Sequence, residues 1–290
     1  MKVLRFVWLS LFVVVCLTQA EAQFRNGYFR IGASTGPTNY LGDLDDDLTF
    51  RFTRLGFGFN ASYKMNPFMS ARLGFYHGWA RAADSVSLSE TRRRRNLHFK
   101  TPITEGSFQI VFDFVPHGRK YYHRPPFVPY VFGGIALFRF DPQAYSNVAG
   151  RFVSLQPIGT EGQNLALADK YPEPYSLIQM AIPLGAGIRM TLSRRFDLEI
   201  ETGFRKTFTD YLDDVSGEYI DDIDLDQLGA GGTNVNLLRE LYDRIDRAQF
   251  PDGAQQVNGI RGDRTQSDWY IYTAVRLNYI IDWRRCPSYR

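Results

Sequence analysis

Few side chains in this sequence are spaced for chemistry, and each such set has a plainer reading beside the reactive one. Gly32-Ala33-Ser34-Thr35-Gly36 fits the G-x-S-x-G pattern, which presents a nucleophilic serine at a strand-to-helix elbow with an acid and a histidine supplied downstream. Here a strand runs into Pro37 and a polar stretch, so the pattern reads as a small-residue strand end. The four histidines are His77, His98, His117 and His123. His117 and His123 share a short basic turn, but a zinc site needs more ligands in fixed geometry. Neither a metal nor a cofactor is expected. Two acidic runs, Asp43-Leu44-Asp45-Asp46-Asp47 and Asp221-Asp222-Ile223-Asp224-Leu225-Asp226, resemble the opening of a calcium loop. Both lack the glycine at position six and the glutamate at position twelve, so they read as solvated loop acids. Arg92-Arg93-Arg94-Arg95 is the sharpest cationic run. On an outside loop these guanidinium groups would bind lipopolysaccharide phosphates, pair with the acidic loops, or face water.

The elements that position these residues follow from a period of two. In residues 54–65, Leu55, Phe57, Phe59, Ala61, Tyr63 and Met65 point one way, while Gly56, Gly58, Asn60, Ser62 and Lys64 point the other. The same alternation predicts strands at 24–34, 52–65, 68–81, 97–115, 127–140, 176–191, 196–208 and 268–282. Connections alternate too. Residues 66–67, 116–126 and 192–195 are short; 35–51, 82–96, 141–175 and 209–267 are long. Short periplasmic turns, long outer loops and an even strand count define an outer-membrane barrel. The expected fold is all-β: an antiparallel up-and-down outer-membrane β-barrel of about eight strands. Leu237, Leu238, Leu241, Tyr242 and Ile245 recur at helical spacing within 234–250, so the last long loop is predicted to carry a short amphipathic helix. Such a helix would fold over the barrel mouth or dock a partner.

Parity also sorts the lumen. Asp113, Glu199, Glu201, Arg205 and Arg276 fall on the inward register, and an eight-strand barrel is just wide enough for side chains to fill. Mixed charges there would pair and plug it. Trp79, Tyr63, Phe140, Phe208, Trp269 and Trp283 are placed for the aromatic girdles at headgroup level.

The amino terminus sets the compartment. Lys2 and Arg5, the apolar run 6–17 and Ala20-Glu21-Ala22 form a signal peptide over 1–22, with cleavage after Ala22. Cys16 lies inside the apolar run, behind three valines rather than the small residues a lipoprotein signal needs. The barrel domain is then 23–290, located in the outer membrane. With 34 Lys+Arg against 31 Asp+Glu, no general pull toward nucleic acid exists.

Four polar segments between strands carry a resemblance. Tyr40-Leu41-Gly42-Asp43-Leu44, Arg95-Asn96-Leu97-His98-Phe99, Pro157-Ile158-Gly159-Thr160-Glu161-Gly162-Gln163 and Thr209-Asp210-Tyr211-Leu212-Asp213-Asp214-Val215-Ser216 resemble the PorG-like outer-membrane barrels of the type IX secretion system in Bacteroidota. Pro129-Tyr130-Val131-Phe132-Gly133-Gly134 and Trp269-Tyr270 fit as well, and Ile158 stands where a leucine is expected. The resemblance implies a non-enzymatic role in protein secretion and gliding motility. It further implies that the protein connects the periplasmic ring, built from a lipoprotein and its partner subunit, to the outer membrane.

Given that role, two surfaces are candidates for ring contact. One is the tail with Arg284, Arg285 and Cys286. A cysteine alone in an oxidising compartment forms an intermolecular disulfide or stays a free thiol. The expectation is a disulfide to a ring subunit. The other is the turn with His117, Arg119, Lys120, Tyr121, Tyr122, His123 and Arg124. Two rival functions remain. A barrel enzyme needs a histidine with an acid or serine on the rim, where only His98 and His77 qualify. A small lipid- or solute-binding barrel needs an open or apolar lumen.

Overall fold

Alternating side chains become a closed wall when every strand finds a neighbour on both sides. In the computed structural model, which describes residues 27–45, 50–117, 121–164, 170–221, 224, 235–245 and 259–281, eight long strands do so. They are β1 (Phe29–Leu41), β2 (Arg54–Lys64), β3 (Met69–Ala83), β4 (His98–Asp113), β5 (Phe127–Phe140), β8 (Ile178–Thr191), β9 (Phe196–Thr207) and β10 (Trp269–Ile281). All pairings are antiparallel, and β1 closes the ring by pairing with both β2 and β10. Two shorter strands, β6 (Gln143–Ser146) and β7 (Arg151–Ser154), form a hairpin in the long connection after β5. Helix α1 spans Glu90–Arg95 and α2 spans Val235–Tyr242.

Seven of the eight predicted strands lie within a few residues of their observed places. The first does not: β1 continues to Leu41 instead of ending at residue 34. Gly36-Pro37 looks like a stop in sequence, yet Thr38↔Tyr272 and Tyr40↔Tyr270 stay in register. Ser34, Gly36 and Thr38 are polar or small because they face the lumen, so Gly32–Gly36 lies mid-strand and not at a strand end. The β6–β7 hairpin and α1 were not anticipated either. Of the helix predicted over 234–250, α2 provides the first half, and 246–250 lie outside the described residues.

The outer face is apolar. Leu55, Phe57, Phe59, Leu73, Ile135, Leu137, Ile178, Leu184, Val275 and Leu277 are all exposed. A belt of this extent is far larger than the apolar patches of soluble monomers, and it suits a hydrocarbon surround. No described helix is long and apolar enough to cross a membrane; this wall crosses with strands. Tyr63, Trp79 and Trp269 are half-exposed on the outside, and Phe208 is exposed. Phe140 corrects the girdle expectation: it points inward at 1% exposure and stacks on Tyr175. Trp283 lies outside the described residues.

Candidate functional site

The lumen is filled in tiers, and the strands set the first. Glu199 and Glu201 sit two residues apart on β9, so both face inward. Four arginines from four other strands converge on them. Arg189 Nε is 2.6 Å from Glu199, while Arg72 and Arg276 each reach Glu201 at 2.8 Å. Arg30 Nη1 lies 3.5 Å from Glu199. Asp113 is held between Arg189, at 2.9 Å, and Lys64. Near the short-turn end, Arg124 pairs with Asp197 at 3.0 Å. Toward the long loops, Arg205 meets Glu105 at 3.2 Å, and the Tyr270 hydroxyl donates to the same carboxylate at 2.7 Å.

Aromatic rings fill the next layer. Tyr76 and Tyr272 are 4.5 Å apart, and Phe138 packs on Tyr270 and Phe140. Inward glycines make the room. A Cβ on Gly78 would lie 2.1 Å from the Tyr76 hydroxyl, and one on Gly56 would lie 2.6 Å from its ring. Bulk from one strand therefore fills space left by glycines on its own and the neighbouring strand.

Above the rings, four separate loop segments fold into one buried cap. Tyr40 opens the first, and its hydroxyl oxygen lies 2.6 Å from Asp213 and 2.7 Å from Asp268. One hydroxyl hydrogen serves one carboxylate, so the second short contact requires a proton on a carboxyl group. Burial, then the negative charges nearby, pushes Asp213 well above the usual carboxylate range; burial, with Asp210 and Asp43 adding to it, does the same to Asp268. The second segment supplies Arg95, which grips Asp84 through two nitrogens at 2.7 and 2.8 Å and donates to the Asp43 carbonyl at 3.0 Å. From the third, Glu161 accepts the backbone N–H of Ser216 at 2.9 Å and Arg261 Nη1 at 2.9 Å. The fourth brings Asp214 to the Tyr175 hydroxyl at 2.6 Å and to Thr160. Burial raises Asp214 to about 6 against the pull of Arg261. Leu44, Leu97, Phe99, Leu212 and Val215, also from these segments, share one apolar cluster with the rings beneath.

Helix α2 closes over the neighbouring loops. Leu238 and Tyr242 pack with Tyr219 and Ile220, and Leu241 packs with Ala144 and Leu155 of the hairpin region. Glu240 accepts the Asn147 N–H at 2.6 Å. The apolar face of α2 is therefore used inside the protein.

The residues singled out in sequence scatter. Arg92 and Arg94 are half-buried, Arg93 is exposed, and Arg94 pairs with Glu90 one turn earlier. Arg95 is buried in the cap with Asp84 as its counterion, which corrects its assignment as a lipopolysaccharide contact. His117 is likewise buried, 3.2 Å from the Tyr28 hydroxyl and 3.9 Å from Asp113, so it is not part of an exposed contact surface. Burial lowers it to about 4 and keeps it neutral. Tyr121 packs edge-on to Tyr28, and His123 is exposed. Of Tyr122 only the backbone, in the turn Tyr121–His123, is described. Arg119, Lys120, Arg284, Arg285, Cys286 and the signal segment 1–22 lie outside the described residues. His77 hydrogen-bonds Thr104 at 2.9 Å, and His98 Nε2 accepts the Tyr145 N–H at 3.2 Å. Among the described residues, no three His, Cys, Asp or Glu side chains converge in a metal-binding arrangement.

The five lumen charges expected from parity all face inward and are buried. Sequence reading placed Lys64 on the polar face of its strand but missed Arg30, Arg72, Glu105, Arg189 and Asp197, although the same parity identifies them once strand limits are known. Arg261 gave no such signal, because it enters from a loop.

The family model described as a domain of unknown function, DUF6089, matches residues 5–153. The chain belongs to this family. The first two of the four cap segments fall inside the matched DUF6089 region, and the other two lie beyond it. Among curated proteins nothing matches. Similar solved structures include Neisserial surface protein A, at 8% identity and a TM-score of 0.41 over 87% of this chain and 96% of that one. Ail of Yersinia pestis is 9% identical, with a TM-score of 0.40 over 88% and 99%. A major outer membrane protein from Thermus thermophilus is 13% identical, with a TM-score of 0.39 over 88% and 99%. The barrel architecture of this DUF6089 member rests on its own closed strand ladder.

Proposed function

We propose that this barrel is a non-enzymatic component of the type IX protein secretion machinery that anchors the periplasmic ring to the outer membrane. One observation supports a scaffold over a conduit: ionic pairs, aromatic rings and a loop cap occupy the lumen in succession. The four segments behind the resemblance to PorG-like barrels also meet in that cap. They come from four different loops, so their resemblance belongs to one built unit and not to scattered surface. Ring contact falls to the short-turn side, where Tyr121, His123 and the tail with Cys286 are candidates, the last through a disulfide to a ring subunit.

Purifying the barrel from native membranes and probing for the ring lipoprotein and its partner subunit tests the assignment. Co-purification, with loss of export of cargo bearing a C-terminal sorting domain on deletion, is the expected result. Absence of both rejects the secretion role. Non-reducing gels of a Cys286→Ser variant test the disulfide separately; an unchanged band pattern removes it. In planar bilayers the filled lumen should give almost no conductance. Steady channel currents would favour a solute-conducting barrel instead.

A further inference from the structure

A second site lies on the flank of the barrel, apart from both the lumen and the short-turn side. A cavity of about 940 Å³ opens between α1, the loop 259–268 and the outer ends of β9 and β10. Lys206 and Trp269 face each other across the β9–β10 ladder, with the Lys206 amine 5.7 Å from the indole centroid. Both point outward. Two residues further down their strands on the same face are Phe204 and Ile271, followed by Ile200, Val275 and Leu277 of the apolar belt. Two strand residues span about 7 Å. The cavity floor is therefore the first polar layer above hydrocarbon, at the depth of lipid headgroups.

The charges say what fits. Arg92, Arg95 and Arg261 stand in the wall, and the last two are paired with Asp84 and Glu161. The two acids lining the cavity are also committed. Asp43 accepts the Asp263 N–H at 2.9 Å, and Asp263 caps Thr265 through its N–H at 3.0 Å and its hydroxyl at 2.6 Å. Among the described residues, Lys206 has no carboxylate within ion-pair distance. Its charge lies beside an aromatic plane at the cavity wall, and Thr265, Gln266 and Ser267 line the same cavity. A cation, an indole face and short polar groups together suit a phosphorylated sugar: phosphate on the amine, ring on the indole. The volume is at the upper end of the roughly 300–1,000 Å³ typical of small-molecule sites, which leaves room for a disaccharide.

We propose that this flank cavity binds the phosphorylated sugar headgroup of an outer-leaflet glycolipid. The site rests on the outer-membrane placement of the barrel and is independent of the secretion role. A generic interfacial Lys–Trp anchor would instead accept any lipid.

The test uses the full chain in detergent micelles and three probes: a bis-phosphorylated lipid A, the same lipid after phosphatase treatment, and inorganic phosphate. Binding is measured for the wild type and for the Lys206→Gln and Trp269→Leu variants. Heat-modifiable electrophoretic mobility of each sample verifies the folded barrel, so failure of the barrel and failure of the site are told apart. Loss of one charge-assisted contact is expected to weaken phosphorylated lipid A by about tenfold in Lys206→Gln. The dephosphorylated lipid should bind the wild type more weakly by a similar factor, and Trp269→Leu should weaken lipid A while sparing inorganic phosphate. Equal affinity for lipid A in all three folded proteins overturns the proposal. So does inorganic phosphate binding as tightly as the lipid, which would make the site one for a free anion.

Discussion

The lower lumen and the cap are both buried and both charged, yet they are built in opposite ways. In the lower lumen, Arg30, Lys64, Arg72, Arg124, Arg189 and Arg276 surround Asp113, Asp197, Glu199 and Glu201, so cations are in excess. In the cap, Asp43, Asp84, Glu161, Asp213, Asp214 and Asp268 face Arg95 and Arg261, so acids are in excess. The first set stands on strands whose register fixes every spacing. The second hangs on loops that must find one another. Guanidinium groups keep their protons throughout the accessible pH range, whereas crowded carboxyl groups take protons up. The arginines of the lower tier therefore hold a fixed charge on a strand frame, and the cap has a variable charge on a loop frame.

The lower tier depends most on Glu199. Arg30, Arg72, Arg189 and Arg276 all lie within 3.5 Å of it, and none is exposed. Glu199→Ala leaves several buried cations without their shared anion, a loss on the order of 3–5 kcal/mol for such pairs. The whole barrel should lose stability, seen as a lower midpoint of heat-modifiable mobility in urea. An unchanged midpoint would mean that neighbouring Glu201 carries the tier alone.

At Leu212, which is fully buried among the cap rings, the expected loss is somewhat smaller and local. Leu212→Ala removes apolar contact at a cost of about 2–5 kcal/mol for a core leucine. Because the cap is loop-built, proteolysis of the segment after β9 should accelerate while the urea midpoint of the barrel stays put. If both move together, cap and barrel form one cooperative unit.

Acidity separates the regions without any substitution. Burial pushes Asp43 and Asp214 from an ordinary value of 3.8 to about 6, and Asp210 to about 8. A carboxyl group raised by folding stabilises the folded form fully below its unfolded value. That contribution is lost as pH climbs through its folded value. The cap should therefore be tightest near pH 4 and loosen from there to about pH 8, by up to ~tenfold in open population per pH unit for each titrating group. Amide exchange at Leu212 and Val215 between pH 5 and 8.5, corrected for intrinsic rate, measures it. Exchange in β9 beside Glu199 should stay level over the same range.

How far each region was legible follows from the same difference. Glu199, Glu201, Arg205, Arg276 and Asp113 were readable because strand parity is a local rule: the side of one residue gives the side of the next but one. Arg72 and Arg189 obey that rule too, on β3 and β8. The end of β1 was misread since Gly36-Pro37 breaks most strands, yet here the Thr38 and Tyr40 pairings carry it on. The cap obeys no local rule. Tyr40 and Asp268 are 228 positions apart, and nothing in their neighbourhoods announces a 2.7 Å contact. Arg95 shows the limit most plainly. Within Arg92-Arg93-Arg94-Arg95 the four side chains are chemically identical, and only the helical turn decides that the last one faces Asp84.

That run also supplies the smallest predicted effect. Arg94 and Glu90 pair one turn apart on α1, at the surface, and hydrogen bonding to Arg94 holds the Glu90 carboxyl below its usual range. Solvent screens such a pair, and ordering two flexible side chains offsets most of its attraction. Glu90→Ala should leave both the proteolysis rate of the cap and the urea midpoint unchanged within error. Arg95→Ala, at the other end of the helix, should release the cap because Asp84, at 0% exposure, loses its counterion. Two substitutions on one short helix would then differ from silent to disruptive. If Glu90→Ala does open the cap, α1 itself is marginal, and the loop frame depends on local helix stability more than on its buried acids.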